Sequence, residues 1–278
     1  MSLDNNPFIN RPKHKHGAVP FDDIKLEHFI PALDYAISEA EKTLESIKSN
    51  PESPTFDNTA LQMESGTELM DAVANTYFNL MSAESDNKFK ELAQEISPKL
   101  STFKNKVLLD SKLFSRVKAL HESRDKDALT SEQKRLIEEK YTEFTSNGAL
   151  LNETDKEKVR KIDEELSKLS PKFSQNTLNA TNDFTYHTED ETELSGLPDM
   201  AKEQAAETAQ KKKKDSGWMF TLQMPSYIPV MQYADNRQLR ETLYKARSKV
   251  SFGGKYDNQE IIKKTTALRY EKARILGF

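Results

Sequence analysis

EHFIPALDYAISEAEKTLESIKSNPESP, residues 27–54, carries the pattern that decides the fold. Phe29, Leu33, Ile37, Ala40, Leu44 and Ile47 recur at spacings of three and four, which places them on one face of a helix. The punctuation SNPESP, residues 49–54, then stops it. Working outward, residues 56–86 carry a second stripe through Leu61, Leu69, Val73, Tyr77, Leu80 and Met81. Two further helical segments, near 86–108 and 111–123, are separated only by LDS.

Capping chemistry marks the next starts. Thr130 with Gln133 and Thr154 with Glu157 have capping-box spacing, and Asn147–Gly148 forms a stop between them. The run from Thr154 to about Asn182 contains Pro171, which is expected to kink it or end it near Ser170. SGLPDMAKEQAAETAQKKKK, residues 195–214, adds a helix with Pro198 near its start and four lysines at its end.

At 217–234, GWMFTLQMPSYIPVMQYA changes the texture. Trp218–Leu222 reads as a strand closed by Pro225, and a lone strand needs a partner, either NDFTYHT at 182–188 or another chain. DNRQLRETLYKARSKV is helical, SFGGKYDN a turn-rich loop, and TTALRYEKARILGF, residues 265–278, a last helix. In that helix Gly277 is expected to cap and Phe278 to pack back on the final turn.

The expected fold is therefore all-α, built of antiparallel helical hairpins, with a short strand or hairpin near 183–188 and 218–222. Expected organisation is an extended arm at 1–22, a helical lobe at 23–215, and at 216–278 the beginning of a segment joining a larger body. A chain ending on an apolar residue directly after a helix cap reads as cut there.

Composition limits the partners. With 41 Lys and Arg against 45 Asp and Glu, the net charge of -4 over 278 residues gives no single-sign field to draw nucleic acid or an anionic membrane. Cysteine is absent, so thiolate sites, disulfides and a cysteine nucleophile are excluded. No window approaches eighteen continuous apolar residues and the first residues have no apolar signal region. A cytoplasmic setting is expected, with export open should a signal peptide have been removed ahead of Met1.

The five histidines are the natural starting point for metal chemistry. HESRD at 121–125 begins like HExxH but places Asp125 where the second histidine belongs, so a solvated helix end competes with a weak metal site. His14 and His16 in HKHG sit in a polar arm apart from His28, and His187 lies in a loop or short strand. No GxGxxG, P-loop or GxSxG spacing occurs. SFGGKYDN is a turn or a substrate contact, and KKKKD at 211–215 a solvated helix end or a polyanion site. Trp218, Tyr227, Tyr233, Arg237, Arg240 and Tyr244 concentrate beside Pro225 and Pro229. They read either as core, with the arginines paired to acids such as Glu241, or as the wall of a peptide groove.

ELSGLPDMAKEQAAETA, GWMFTLQMPSYIPVMQYADNRQLRETLYKA and YDNQEIIKKTTALRYEKARILGF closely resemble, in that order, the middle of the thimet oligopeptidase and peptidyl-dipeptidase family of zinc metallopeptidases. PFDDIKLEHFIPALDYAI, residues 20–37, looks like that family's opening, and the likeness is nearest to the bacterial peptidyl-dipeptidase branch. The resemblance implies a two-lobed helical enzyme that cleaves short peptides in a deep channel, with zinc held by HExxH and a later glutamate. No position here corresponds to those ligands, so it implies zinc in the full-length parent and none in this chain. Its expected partners are short peptides and a missing C-terminal catalytic half, with self-association through surface exposed by the cut. A free-standing helical binding or scaffold protein is the alternative.

Overall fold

A computed structural model describes residues 3–10, 18–83, 87–125 and 128–278. Among them the chain forms ten α-helices and one two-stranded antiparallel sheet, the mostly helical class that the sequence pattern predicts. It divides into two units. One runs to Lys168 and takes in Ala267–Phe278; the other is Leu169–Thr266.

The first unit is built on α1 (Phe29–Ser49), whose buried face holds Phe29, Ala32, Leu33, Ala36, Ala40, Leu44 and Ile47. Three alanines in that stripe let α2 (Gln62–Ala83) approach closely. At Gly66 an added Cβ would lie 2.9 Å from Thr43 Cγ2, so the contact needs glycine. A π-helical turn, Phe56–Leu61, precedes α2, and Thr55 and Asn58 cap it reciprocally. Arg116 on α4 (Ser111–Ser123) holds the loop before it, donating to the Asn50 and Glu52 carbonyls at 2.9 and 3.1 Å. The helix α3 (Asn87–Leu108) lies between α2 and α4 in sequence. Tyr77 is fully buried, stacks on Phe89, and donates its hydroxyl to the Phe89 carbonyl.

Residues 3–10, expected within an extended arm, instead fold onto this core. Leu3–Asn5 is a 3-10 turn, buried Phe8 lies 5.3 Å from the Phe29 ring, and Asn6 donates to the His28 carbonyl at 2.9 Å. A buried aromatic pair outweighs the polar composition around it.

The start of α5 (Ser131–Ser146) is the expected capping box: Thr130 accepts from the Gln133 N–H at 3.2 Å and donates its own N–H to Gln133 Oε1 at 2.9 Å. For α6 (Glu153–Asp183) the cap moves two residues earlier, to Asn152, which accepts from the Asp155 N–H at 2.9 Å. Thr154 is already inside the helix. Pro171 does not end α6, which continues through it for twelve residues more to Asp183. Deep in the first unit, the buried Lys156 ammonium donates to Ser111 Oγ at 2.7 Å and to Glu153 at 3.1 Å. The last helix, α10 (Gln259–Leu276), joins Lys272 to Asp163 at 2.5 Å. Gly277 caps it at φ +89°, with the Phe278 N–H donating to the Ala273 carbonyl at 2.9 Å. The Phe278 ring does not pack back on the final turn: the residue is 72% exposed.

In the second unit β1 (Thr185–Thr188) pairs with β2 (Trp218–Thr221), so the strand's partner lies within the chain. The register sets Thr185 against Thr221 and Thr188 against Trp218. Between them runs α7 (Asp199–Lys211), entered through Pro198 and ending within the lysine run, where Lys213 takes φ +61°. Pro225 does not merely close the strand. It sits in the first turn of a helix absent from the sequence reading, α8 (Met224–Tyr233), where its missing N–H costs nothing. α9 (Arg237–Ser248) follows, capped by Asn236, which accepts from the Gln238 and Leu239 N–H groups. The unit's core is Leu194, Leu197, Ala205, Phe220, Val230, Ala234, Leu239 and Leu243.

Candidate functional site

The six aromatic and arginine candidates all lie in the second unit, on β2, α8 and α9. The hairpin that carries Trp218 depends on Gly217. Its φ is +83°, and a Cβ there would stand 2.3 Å from the Thr188 carbonyl oxygen, a clash no side chain survives.

Their environments divide them. Trp218 and Tyr227 are half-buried and pack against the unit's core. Arg240 donates to the Ala234 carbonyl, the cap of α8, so its guanidinium already has a task. Tyr233 and Tyr244 are 53% and 57% exposed, and Arg237 is exposed at the first turn of α9. Positions 237, 240 and 244 fall on one stripe of α9, separate from the stripe of Leu239 and Leu243 that enters the core. Glu241, which the core reading pairs with an arginine, is bonded to Lys245. That ammonium holds its carboxyl below the ordinary range.

Sequence reasoning missed Arg247. It donates to the Leu222 carbonyl at 3.2 Å and points to Met224 Sδ at 3.7 Å, tying the end of α9 to the start of α8. Its position seven residues after Arg240, on the same helix face, is the signal that would have found it.

The loop SFGGKYDN is fixed from beneath. Asn258, only 1% exposed, donates to the Phe173 carbonyl at 3.0 Å and to Thr177 Oγ1 at 3.2 Å, and accepts from Asn176 at 2.9 Å. The Asp257 carboxylate accepts from the backbone N–H groups of Gln259 and Gly253, which hold it below its ordinary pKa.

Each described histidine is engaged by a neighbour. His121 stacks on Tyr141 with ring centres 4.0 Å apart and lies 2.9 Å from Glu138. His187 meets the Ser216 carbonyl at 2.8 Å, and His28 Nδ1 accepts from the Lys25 N–H. His14 and His16 lie outside the described residues. Among the described residues no three His, Cys, Asp or Glu side chains come together to hold a metal, so this donor set does not fit zinc. Nor is any described helix long and apolar enough to cross a membrane.

The family model for the neurolysin and thimet oligopeptidase N-terminal domain matches residues 28–156. Oligopeptidase A of Haemophilus influenzae is 32% identical over 283 residues, across 100% of this chain and 40% of its own length. Probable cytosolic oligopeptidase A of Arabidopsis thaliana gives the same identity and coverage. Dipeptidyl carboxypeptidase of Escherichia coli is 29% identical over 98% of this chain and 40% of its own length. The chain thus spans about 40% of the length of these relatives. It is a homologue of the N-terminal portion of the thimet oligopeptidase family, mostly helical among the described residues, with one short strand pair.

Proposed function

We propose that this chain is the non-catalytic helical lobe of a cytoplasmic zinc metallopeptidase that hydrolyses short peptides. The observation that carries the reading is coverage: relatives named oligopeptidase and dipeptidyl carboxypeptidase align across 100% and 98% of the chain, yet it spans only 40% of their length. Zinc polarises a peptide carbonyl and activates water when bound. Its ligands are assigned to sequence following Phe278, since no group of donors among the described residues suits it.

Within this reading the segment from Trp218 to Tyr244 forms part of the substrate channel. Tyr233, Arg237 and Tyr244 face outward and offer ring faces and a guanidinium to a peptide's backbone and carboxylate. Trp218, Tyr227 and Arg240 hold β2, α8 and α9 in position behind them. Helical backbone on both sides means that little ordering entropy is lost when a peptide binds.

The test is to read the coding sequence beyond Phe278. An HExxH followed by a further glutamate is expected. An open reading frame that stops without them overturns the peptidase reading in favour of a binding protein.

A further inference from the structure

The second unit contains a cleft of about 440 Å³ that the peptidase reading does not use. It is walled by the end of α6, the start of β1, Leu222, the end of α9 and the loop SFGGKYDN. Phe184, Leu222, Ala246 and Val250 give it an apolar lining, and Lys249, Lys255 and Asp183 supply its charges.

The charges are not equivalent. Lys255 lies over the Tyr256 ring at 5.0 Å and has the Asp183 charge nearby. Lys249, by contrast, has no carboxylate in ion-pair reach among the described residues. A cation would meet two ammonium groups there. A dianion would meet one unpaired lysine and the opposing Asp183, and a neutral apolar ligand would gain nothing from Lys249, which stands exposed beside the apolar lining with water as its partner. The complement is a single negative charge attached to an apolar group.

The loop that closes the cleft is held under strain. Ser251 adopts φ +56°, and its buried Oγ has no hydrogen-bond partner. A non-glycine residue in that region with an unpaired hydroxyl persists only where its surroundings fix it, and such positions concentrate at ligand sites. Here the fixing groups are Asn258 and Asp257, which bind the loop to α6 and to its own backbone. Gly253 and Gly254, at φ +80° and +73°, have open space where a Cβ would stand, so backbone conformation and not packing requires them.

We propose that this cleft binds a small monocarboxylate bearing an apolar group, with Lys249 as its counter-ion. The proposal rests on the cleft and not on the peptidase reading, and either can fail without the other. The carboxylate has two sources, a free organic acid or the C-terminus of a short peptide, which share this chemistry.

The experiment titrates the 278-residue chain with 3-phenylpropionate and with N-acetyl-Leu-Phe, each beside its carboxamide, following backbone amide shifts. Shifts confined to 180–185, 222 and 246–256 are expected, with each amide at least 10-fold weaker than its acid. Lys249→Glu should weaken the acid at least 10-fold, and Lys212→Glu, a charge reversal beyond α7, should leave it unchanged. The unperturbed amide spectrum elsewhere shows that each variant is folded. Stronger binding of phenylpropionate assigns the site to free acids, and stronger binding of the peptide assigns it to peptide ends. Equal affinity for acid and amide, no saturable shift with either acid, or full affinity in Lys249→Glu overturns the proposal.

Discussion

Asn258 is the residue on which the second unit's loop turns, because three hydrogen bonds converge on a side chain that water cannot reach. Replacing it with alanine leaves buried partners unpaired, so Asn258→Ala is expected to cost about 2–3 kcal/mol. Urea unfolding, with amide exchange reporting residues 169–266 separately, measures it. A loss below about 0.5 kcal/mol would show that the loop is not held there. Asp110 adds a pH test. Burial alone would raise its carboxyl, but the Leu113 N–H and the Lys48 ammonium outweigh burial and set it below the ordinary 3.8. A depressed carboxylate stabilises fully above its unfolded value, and that contribution fades as pH falls through the folded one. Asp110→Ala should therefore cost about 1 kcal/mol at neutral pH. The gap from the natural chain should close below about pH 4; a constant gap from neutral pH into acid contradicts this assignment. The importance of Asn258 was not legible in the sequence, since nothing local marks a polar residue whose partners lie some 80 positions away.

At the scale of elements, most helices were legible because a 3.6-residue apolar period survives any tertiary context that needs one buried face. The hairpin was legible for a different reason: Trp218–Thr221 could not stand alone, and DFTYHT was the fitting β-rich stretch within the chain. α8 was missed because Pro225 reads as the close of the strand, although it occupies the turn where proline is tolerated. Thr154 was misplaced because Asn152, two residues earlier, is an equally good cap and reaches the Asp155 N–H first. That correction is directly testable by thermal or urea unfolding. Asn152→Ala is expected to cost about 1 kcal/mol, and Thr154→Ala only a few tenths, since it sits inside the first turn. The reverse order would restore the cap to Thr154.

At the scale of the whole molecule, the candidate channel was only partly legible. Sequence reading collected six residues by type and proximity, but exposure separates them: Tyr233, Arg237 and Tyr244 face outward, whereas Arg240 is engaged by the Ala234 carbonyl. Such a division depends on packing, which a list of residues does not contain. Exposed apolar residues on and after the last helix, Ile262, Tyr270 and Phe278, also favour association. Sedimentation of the 278-residue chain is expected to show a concentration-dependent dimer that Tyr270→Glu weakens; a monomer at every concentration would remove this face as an interface.

In the proposed enzyme the zinc chemistry resides outside these 278 residues. Zinc content and hydrolysis of a short peptide should be measured side by side on the 278-residue chain and on the same chain extended through its downstream coding sequence. The shorter chain is expected to hold no stoichiometric zinc after dialysis and to cleave nothing, and the longer one to hold one zinc and lose its activity to a chelator. One zinc per 278-residue chain, with peptide cleavage abolished by replacing His121 or His187, would contradict it.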